Sequence, residues 1–101
     1  MIEFQKENWE IYDPDQILKS DSVGVAEQLV YPREDVLQFN HRNKDLIVDF
    51  GFYGDETTLD GEWVVYLIGG ENWESPVKEN RFSTFESGIE STIELLNEYS
   101  T

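Results

Sequence analysis

The C-terminal segment from Phe82 to Tyr99 has the clearest helical pattern in the sequence, and it limits what the rest of the chain can form. Its apolar residues recur every three or four positions, which places them on one face of an α-helix: Phe85, Ile89, Ile93, Leu96 and Tyr99. Ser83, followed three residues later by Glu86, predicts a capping box at the start of this helix. A helix with one apolar face needs a second layer to pack on, and the upstream segments must supply it.

Two upstream segments have the patterns of β-strands and can form that second layer. Leu46–Tyr53 alternates strictly, so that four apolar side chains share one face: Leu46, Val48, Phe50 and Phe52. Glu62–Gly70 is almost continuously apolar, which is typical of a central strand covered on both faces. Its pattern leaves open whether Trp63, Val65 and Leu67 or the alternate set faces inward. A polar loop, Gly54–Gly61, joins the two strands.

Weaker signals complete the predicted fold. Strands are indicated within Ile2–Tyr12 and at Val36–Phe39, and a short edge strand at Glu79–Ser83. Asp13, followed by a proline, predicts a short helix, whereas Val25–Tyr31 fits either a helical turn or a strand. The 101 residues predict one domain, residues 1–101, of the α+β class. We expect a mostly antiparallel sheet of four or five strands, with a C-terminal amphipathic helix packed on one face.

The charge of the chain restricts its partners. It has 22 acidic and 7 basic residues, for a net charge of -15. Residues 45–101 hold thirteen acids and two bases, whereas residues 1–44 hold nine acids and five bases. Nucleic acids and anionic membranes are themselves negative, so the charge argues against direct binding to either and favours a basic protein partner. The absence of cysteine excludes disulfides and thiolate metal sites.

The sequence also carries an expectation about compartment. No apolar leader follows Met1, because the first residues already include an acid. The longest apolar run, Trp63–Ile68, is much too short to cross a bilayer. We therefore expect a soluble, cytoplasmic protein without a membrane partner.

The polar face of the C-terminal helix carries the most unusual motif. Four glutamates recur at four-residue intervals, with no lysine or arginine between Phe82 and Thr101: Glu86, Glu90, Glu94 and Glu98. Like charges at this spacing destabilise a helix by about 0.2–0.5 kcal/mol per pair. The carboxylates are about 6 Å apart along the axis, close to the spacing of phosphates along a nucleic-acid strand. Either the row is a solvated face, or a basic partner supplies the missing counter-charges.

Two loops add further candidate contacts. Asp55, Glu56 and Asp60 lie in the acidic loop between the strands, but they lack the spacing of an EF-hand calcium site. They would repel edge-to-edge pairing or contact a basic partner. Trp73 lies among acidic residues and is either an interface anchor or a side chain folded onto the sheet edge. Trp9 allows the same two interpretations.

The sequence contains no motif that indicates catalysis. His41 is the only histidine and falls in a polar turn, where we expect it to be exposed. No phosphate-binding loop or nucleophile elbow is present, and no pair among so many acids is informative. We therefore expect no enzyme activity, no cofactor and no metal.

A small, cysteine-free, acidic α+β domain that closes with a strand and the Phe82–Tyr99 helix resembles the bacterial immunity proteins. These are dedicated inhibitors encoded beside polymorphic toxins, including those of contact-dependent growth inhibition systems. The resemblance is one of size, charge and style, and it implies a basic toxin domain, often a nuclease, as the partner. The alternative is a phosphate-mimicking decoy of a nucleic-acid-binding host protein. The expected contact residues are Glu86, Glu90, Glu94, Glu98, Asp55, Glu56, Asp60 and Trp73.

Overall fold

A computed structural model of the chain describes residues 2–55, 57–58 and 60–100. Within these residues it contains five strands, two α-helices and one short 3-10 helix at Ile17–Lys19. The strands are β1 (Trp9–Tyr12), β2 (Leu37–His41), β3 (Leu46–Asp55), β4 (Asp60–Gly69) and β5 (Lys78–Phe82). The α-helices are α1 (Val23–Leu29) and α2 (Phe85–Glu98).

The strands form one antiparallel sheet in which each strand pairs with its neighbours in the chain, in the order β1-β2-β3-β4-β5. α2 contacts β3, β4 and β5, and α1 contacts α2 on the same side of the sheet. The prediction of an α+β fold, with an antiparallel sheet and a C-terminal helix packed on one face, is confirmed. The alternation of Leu46–Tyr53 and the apolar run that follows it form the long central hairpin.

The core lies between the sheet and α2. Phe50 stacks on Trp63 with ring centroids 5.3 Å apart, and Phe85 of α2 meets the edge of Trp63 at 5.2 Å. The ambiguity in β4 is resolved, because Trp63, Val65 and Leu67 belong to this core. The alternate residues Val64 and Ile68 are also fully buried, but outside that cluster. The expectation that β4 is covered on both faces therefore agrees with the structure.

Three local predictions need correction at their boundaries. α2 is capped by Thr84, whose Oγ1 accepts from the backbone N–H of Ser87 at 3.2 Å, and not by Ser83. Asp13 accepts from the backbone N–H groups of Ile17 and Leu18, both at 3.0 Å, so the helix after it begins only at Ile17. The loop after β3 is shorter than predicted, because β3 and β4 stay paired as far as Asp55 and Asp60. Of the segment left open between a helical turn and a strand, residues 25–29 belong to α1, whereas Val30 and Tyr31 follow its end.

Trp9 and His41 are both buried, on neighbouring strands. Their rings meet edge to face, with centroids 4.9 Å apart. His41 Nδ1 accepts from the backbone N–H groups of Asn43 and Lys44, both at 3.0 Å. The prediction of an exposed His41 was wrong, because its side chain folds beneath the turn and holds it. Trp9 is a core residue and not an interface anchor.

Gly88 allows α2 to approach the sheet closely. A Cβ atom at this position would overlap the ring of Phe50, which cannot retreat freely because it is stacked on Trp63. We expect Gly88→Ala to lower the free energy of unfolding by about 1–3 kcal/mol, although alanine is the better helix former. Urea denaturation measures this change. Glu90→Ala, at an exposed position of the same helix, is the control and should change stability by less than about 0.5 kcal/mol. An unchanged midpoint for Gly88→Ala would contradict the packing argument.

Candidate acidic interaction surface

The four glutamates of α2 form an exposed row on the side of the helix away from the sheet: Glu86, Glu90, Glu94 and Glu98. The buried residues of α2 occupy the opposite side and include Ile89, Thr92 and Leu96. Because a helix rises about 1.5 Å per residue, the row extends about 18 Å. We call these four residues the glutamate row. Its exposure follows from the same periodicity that buries the apolar face.

Counter-charges reach only one end of the glutamate row among the residues that the structure describes. Glu98 lies 3.6 Å from Nζ of Lys78, and that ammonium also lies over the ring of Tyr99 at 5.4 Å. Tyr99 and Glu98 raise the pKa of Lys78 above its usual value. Glu86, Glu90 and Glu94 have no lysine or arginine within 4.0 Å in the described part of the chain. The repulsion within the row is therefore largely uncompensated.

The loop between β4 and β5 lies at the C-terminal end of the glutamate row. It leads directly into Lys78, which contacts Glu98. Trp73 and Val77 in this loop are 46% and 59% exposed. A large exposed tryptophan is a feature of binding surfaces, because its burial in a complex is strongly favourable. Trp73 therefore remains a candidate contact in the loop that leads to Lys78.

The β3–β4 hairpin lies at the other end of α2. Trp63 pairs with Phe82 just before the helix begins, and the hairpin tip lies beyond this pair. Asp60 is exposed there. Glu56 lies outside the described residues.

Asp55, at the same tip, uses its carboxylate in hydrogen bonds within the turn. Its Oδ1 accepts from the backbone N–H of Thr57 at 2.8 Å, from the Thr57 hydroxyl at 2.6 Å and from the N–H of Thr58 at 3.3 Å. These hydrogen bonds, that of the Thr57 hydroxyl first, lower the pKa of the Asp55 carboxyl. The Asp55 side chain therefore stabilises the turn, and Asp55 is a poorer candidate for partner contact than Asp60.

Among residues 2–55, 57–58 and 60–100, no group of three or more histidine, aspartate or glutamate side chains is arranged to hold a metal ion. No helix in these ranges is both long and apolar enough to cross a bilayer.

Asp49 is a candidate functional residue that the sequence analysis did not single out. It lies at the centre of β3, on the face of the sheet opposite α2, and is only 2% exposed. The Tyr53 hydroxyl donates to its Oδ2 at 3.2 Å, whereas its Oδ1 is buried without a hydrogen-bond partner in the described part of the chain. Burial raises the pKa of Asp49 from 3.8 to about 7; hydrogen bonding by the side chains of Tyr53 and Gln38 opposes this shift, and the charges of Asp35 and Glu34 add to it. The available sequence signal was a single acid inside an otherwise apolar strand.

Comparisons with known proteins do not assign this surface. No protein-family model matches the chain, no curated protein matches it, and no solved structure resembles it closely enough to count as a match.

Proposed function

We propose that this protein is a cytoplasmic inhibitor of the immunity-protein type, which binds a basic toxin domain and occludes its active-site cleft without catalysing a reaction. The observation that carries the proposal is the glutamate row, exposed on α2 and largely without counter-charges of its own. A nuclease is the toxin class that best fits, because its cleft must hold phosphates with lysine and arginine side chains.

Electrostatics supports binding on this surface in two ways. A row of partner cations would remove the like-charge repulsion between the glutamates of the free protein, and this relief would stabilise the complex. The net charge of -15 would also attract a basic partner over a distance and raise the association rate. Trp73, exposed in the loop that leads to Lys78, would add apolar burial to a contact that is otherwise ionic.

Reversing the charge in the middle of the row tests the proposal. The partner is first captured with tagged wild-type protein from the source organism and must lose its activity at a one-to-one ratio. We expect Glu90→Lys with Glu94→Lys to slow association by about tenfold or more at low salt and to flatten its salt dependence. Thermal stability should hold or rise, because the new lysines lie four residues from Glu86 and Glu98.

A matched double charge reversal elsewhere in the chain distinguishes an effect of the glutamate row from an effect of net charge. Glu3→Lys with Glu7→Lys changes the net charge equally at two exposed positions of the N-terminal segment. We expect it to slow association much less than the α2 variant. Equal effects of the two variants would show that only net charge matters, and an unaffected α2 variant would remove α2 from the interface.

A second function, a phosphate-mimicking decoy of a nucleic-acid-binding host protein, is favoured by the spacing of about 6 Å between successive carboxylates of the row. The two functions differ in the identity of the captured partner. An immunity protein binds a toxin encoded beside it, whereas a decoy binds a host protein and is displaced from it by DNA or RNA. Competition of the purified complex with a duplex oligonucleotide, together with the position of the partner's gene, separates them.

A further inference from the structure

The face of the sheet opposite α2 carries a row of side chains that crosses all five strands. Cross-strand partners lie on the same face of a sheet, and the register places five residues in line, one per strand: Tyr12, Gln38, Asp49, Tyr66 and Glu79. We call this the Asp49 row. The helices contact only the other face among the described residues. Tyrosine is enriched in protein interfaces, and two of the five residues are tyrosines.

Asp49 has no cationic partner within this face among residues 2–55, 57–58 and 60–100. Tyr53 on its own strand and Tyr66 on β4 are neutral neighbours. Glu34 and Asp35, in the segment before β2, are exposed acids whose charges act on Asp49.

Among the described strand pairs, one basic residue lies on this face, and it already forms an ion pair. Arg81 on β5 donates through Nε to Glu79 at 2.8 Å, so the two charges largely cancel each other. The side chain of Gln38 interacts with the Asp49 carboxyl, but no donor in the described part of the chain forms a hydrogen bond with Oδ1, which is therefore an under-satisfied acceptor in a negative environment. An unsatisfied buried acceptor destabilises the free protein, and a suitable donor would recover that loss.

We propose that the Asp49 row is a second binding surface of this protein, and that its occupant is an arginine or lysine side chain of the basic partner, which enters between Gln38 and Tyr66 and donates to Oδ1 of Asp49. The proposal rests on the proposed function for the kind of partner. A cation is the occupant because Asp49, Glu34 and Asp35 leave this part of the face negative. The groups that flank Asp49 across the strands are half-buried side chains, which can change rotamer without moving the sheet.

Binding at Asp49 must be coupled to proton release. The free protein holds a proton on Asp49 below about pH 7, because burial raises its pKa to about 7. A cation favours the ionised carboxylate, so it displaces this proton. The affinity should then rise by up to about tenfold per pH unit below pH 7 and level off above it.

NMR of the carboxyl carbon of Asp49 tests the proposal with a defined probe. The probe is the capped tripeptide acetyl-Gly-Arg-Gly-amide, and the capped Gly-Gly-Gly peptide is the control without a guanidinium group. With a saturating concentration of the arginine peptide we expect the titration midpoint of Asp49 to fall by about one pH unit or more, and binding at pH 8 to be about fivefold or more tighter than at pH 6. Asp49→Asn should abolish the pH dependence, whereas Glu86→Gln, which also removes one charge, should retain it.

Two results would overturn the inference: a midpoint of Asp49 that does not move with the arginine peptide, or a pH dependence that survives in Asp49→Asn. The double variant Glu90→Lys/Glu94→Lys keeps this test separate from that of the proposed function. If the midpoint of Asp49 still moves with the arginine peptide in that variant while toxin association is lost, both surfaces are supported. If toxin association is unaffected in the double variant but depends on Asp49, the glutamate row is not a binding surface and the Asp49 row is supported.

Discussion

Replacing Asp49 by asparagine should raise the free energy of unfolding by about 2–4 kcal/mol at pH 8 and change it little at pH 4. In the folded protein the pKa of Asp49 is raised from 3.8 to about 7 by burial. Between these values the folded state binds a proton that the unfolded state has released, so wild-type stability falls as pH rises from about 4 to 7. Asparagine stays neutral throughout and does not lose this stability. Its carbonyl oxygen can still accept from Tyr53.

Urea denaturation at a series of pH values measures this difference. The free energy of unfolding of the wild type should fall between pH 4 and 7, and Asp49 should cause no further fall above pH 7. The difference in this free energy between variant and wild type should grow over the same range. Asp60→Asn, at an exposed position of β4, is the control and should show no such growth. A difference that is constant with pH, or an Asp49→Asn protein that is less stable than wild type at pH 8, would contradict the assigned protonation state.

Periodicity explains why so much of the fold could be predicted. The alternation in β3 and the helical spacing in α2 are local patterns, and each determines which side chains point toward the core. The exposure of the glutamate row follows from the same helical geometry, since each four-residue step advances only about 40° around the helix axis. Of the candidate contacts, Asp60 and Trp73 are exposed as a binding surface requires.

The environments of Asp49, His41 and Trp9 could not be predicted in the same way, because they depend on neighbours that are distant in the sequence. Asp49 is flanked by Gln38 and Tyr66 through strand pairing, and His41 is buried because it meets Trp9 on β1. A local pattern shows that a strand alternates, but it does not show which residue of the next strand lies opposite. The cap of α2 was displaced by one residue for a simpler reason: Ser83 and Thr84 have the same capping chemistry, and only the backbone decides between them.

Gly51→Ala is the second substitution with a large expected effect, and it acts on the same face as Asp49. Gly51 lies two residues beyond Asp49 on β3, and the backbone of Glu34 passes directly over it. A Cβ atom would overlap the Glu34 carbonyl, which cannot swing away as a flexible side chain would. The adjoining backbone is also fixed, because Phe52 N–H donates to Arg33 O at 2.8 Å. We expect Gly51→Ala to destabilise the protein by about 3 kcal/mol or more.

The same substitution should change the environment of Asp49. Displacing the Glu34 backbone would admit water to the face and would also move the charges of Glu34 and Asp35 away from Asp49. Both changes lower the pKa of Asp49 toward its ordinary value. Urea denaturation and the carboxyl titration measure the two effects on one sample. Gly24→Ala is the matched control: its Cβ would meet only the Ser22 hydroxyl at 3.8 Å, so in α1 alanine should stabilise by about 0.5–1 kcal/mol. A Gly51→Ala protein with wild-type stability and an unshifted Asp49 would mean that the segment before β2 does not cover this part of the sheet.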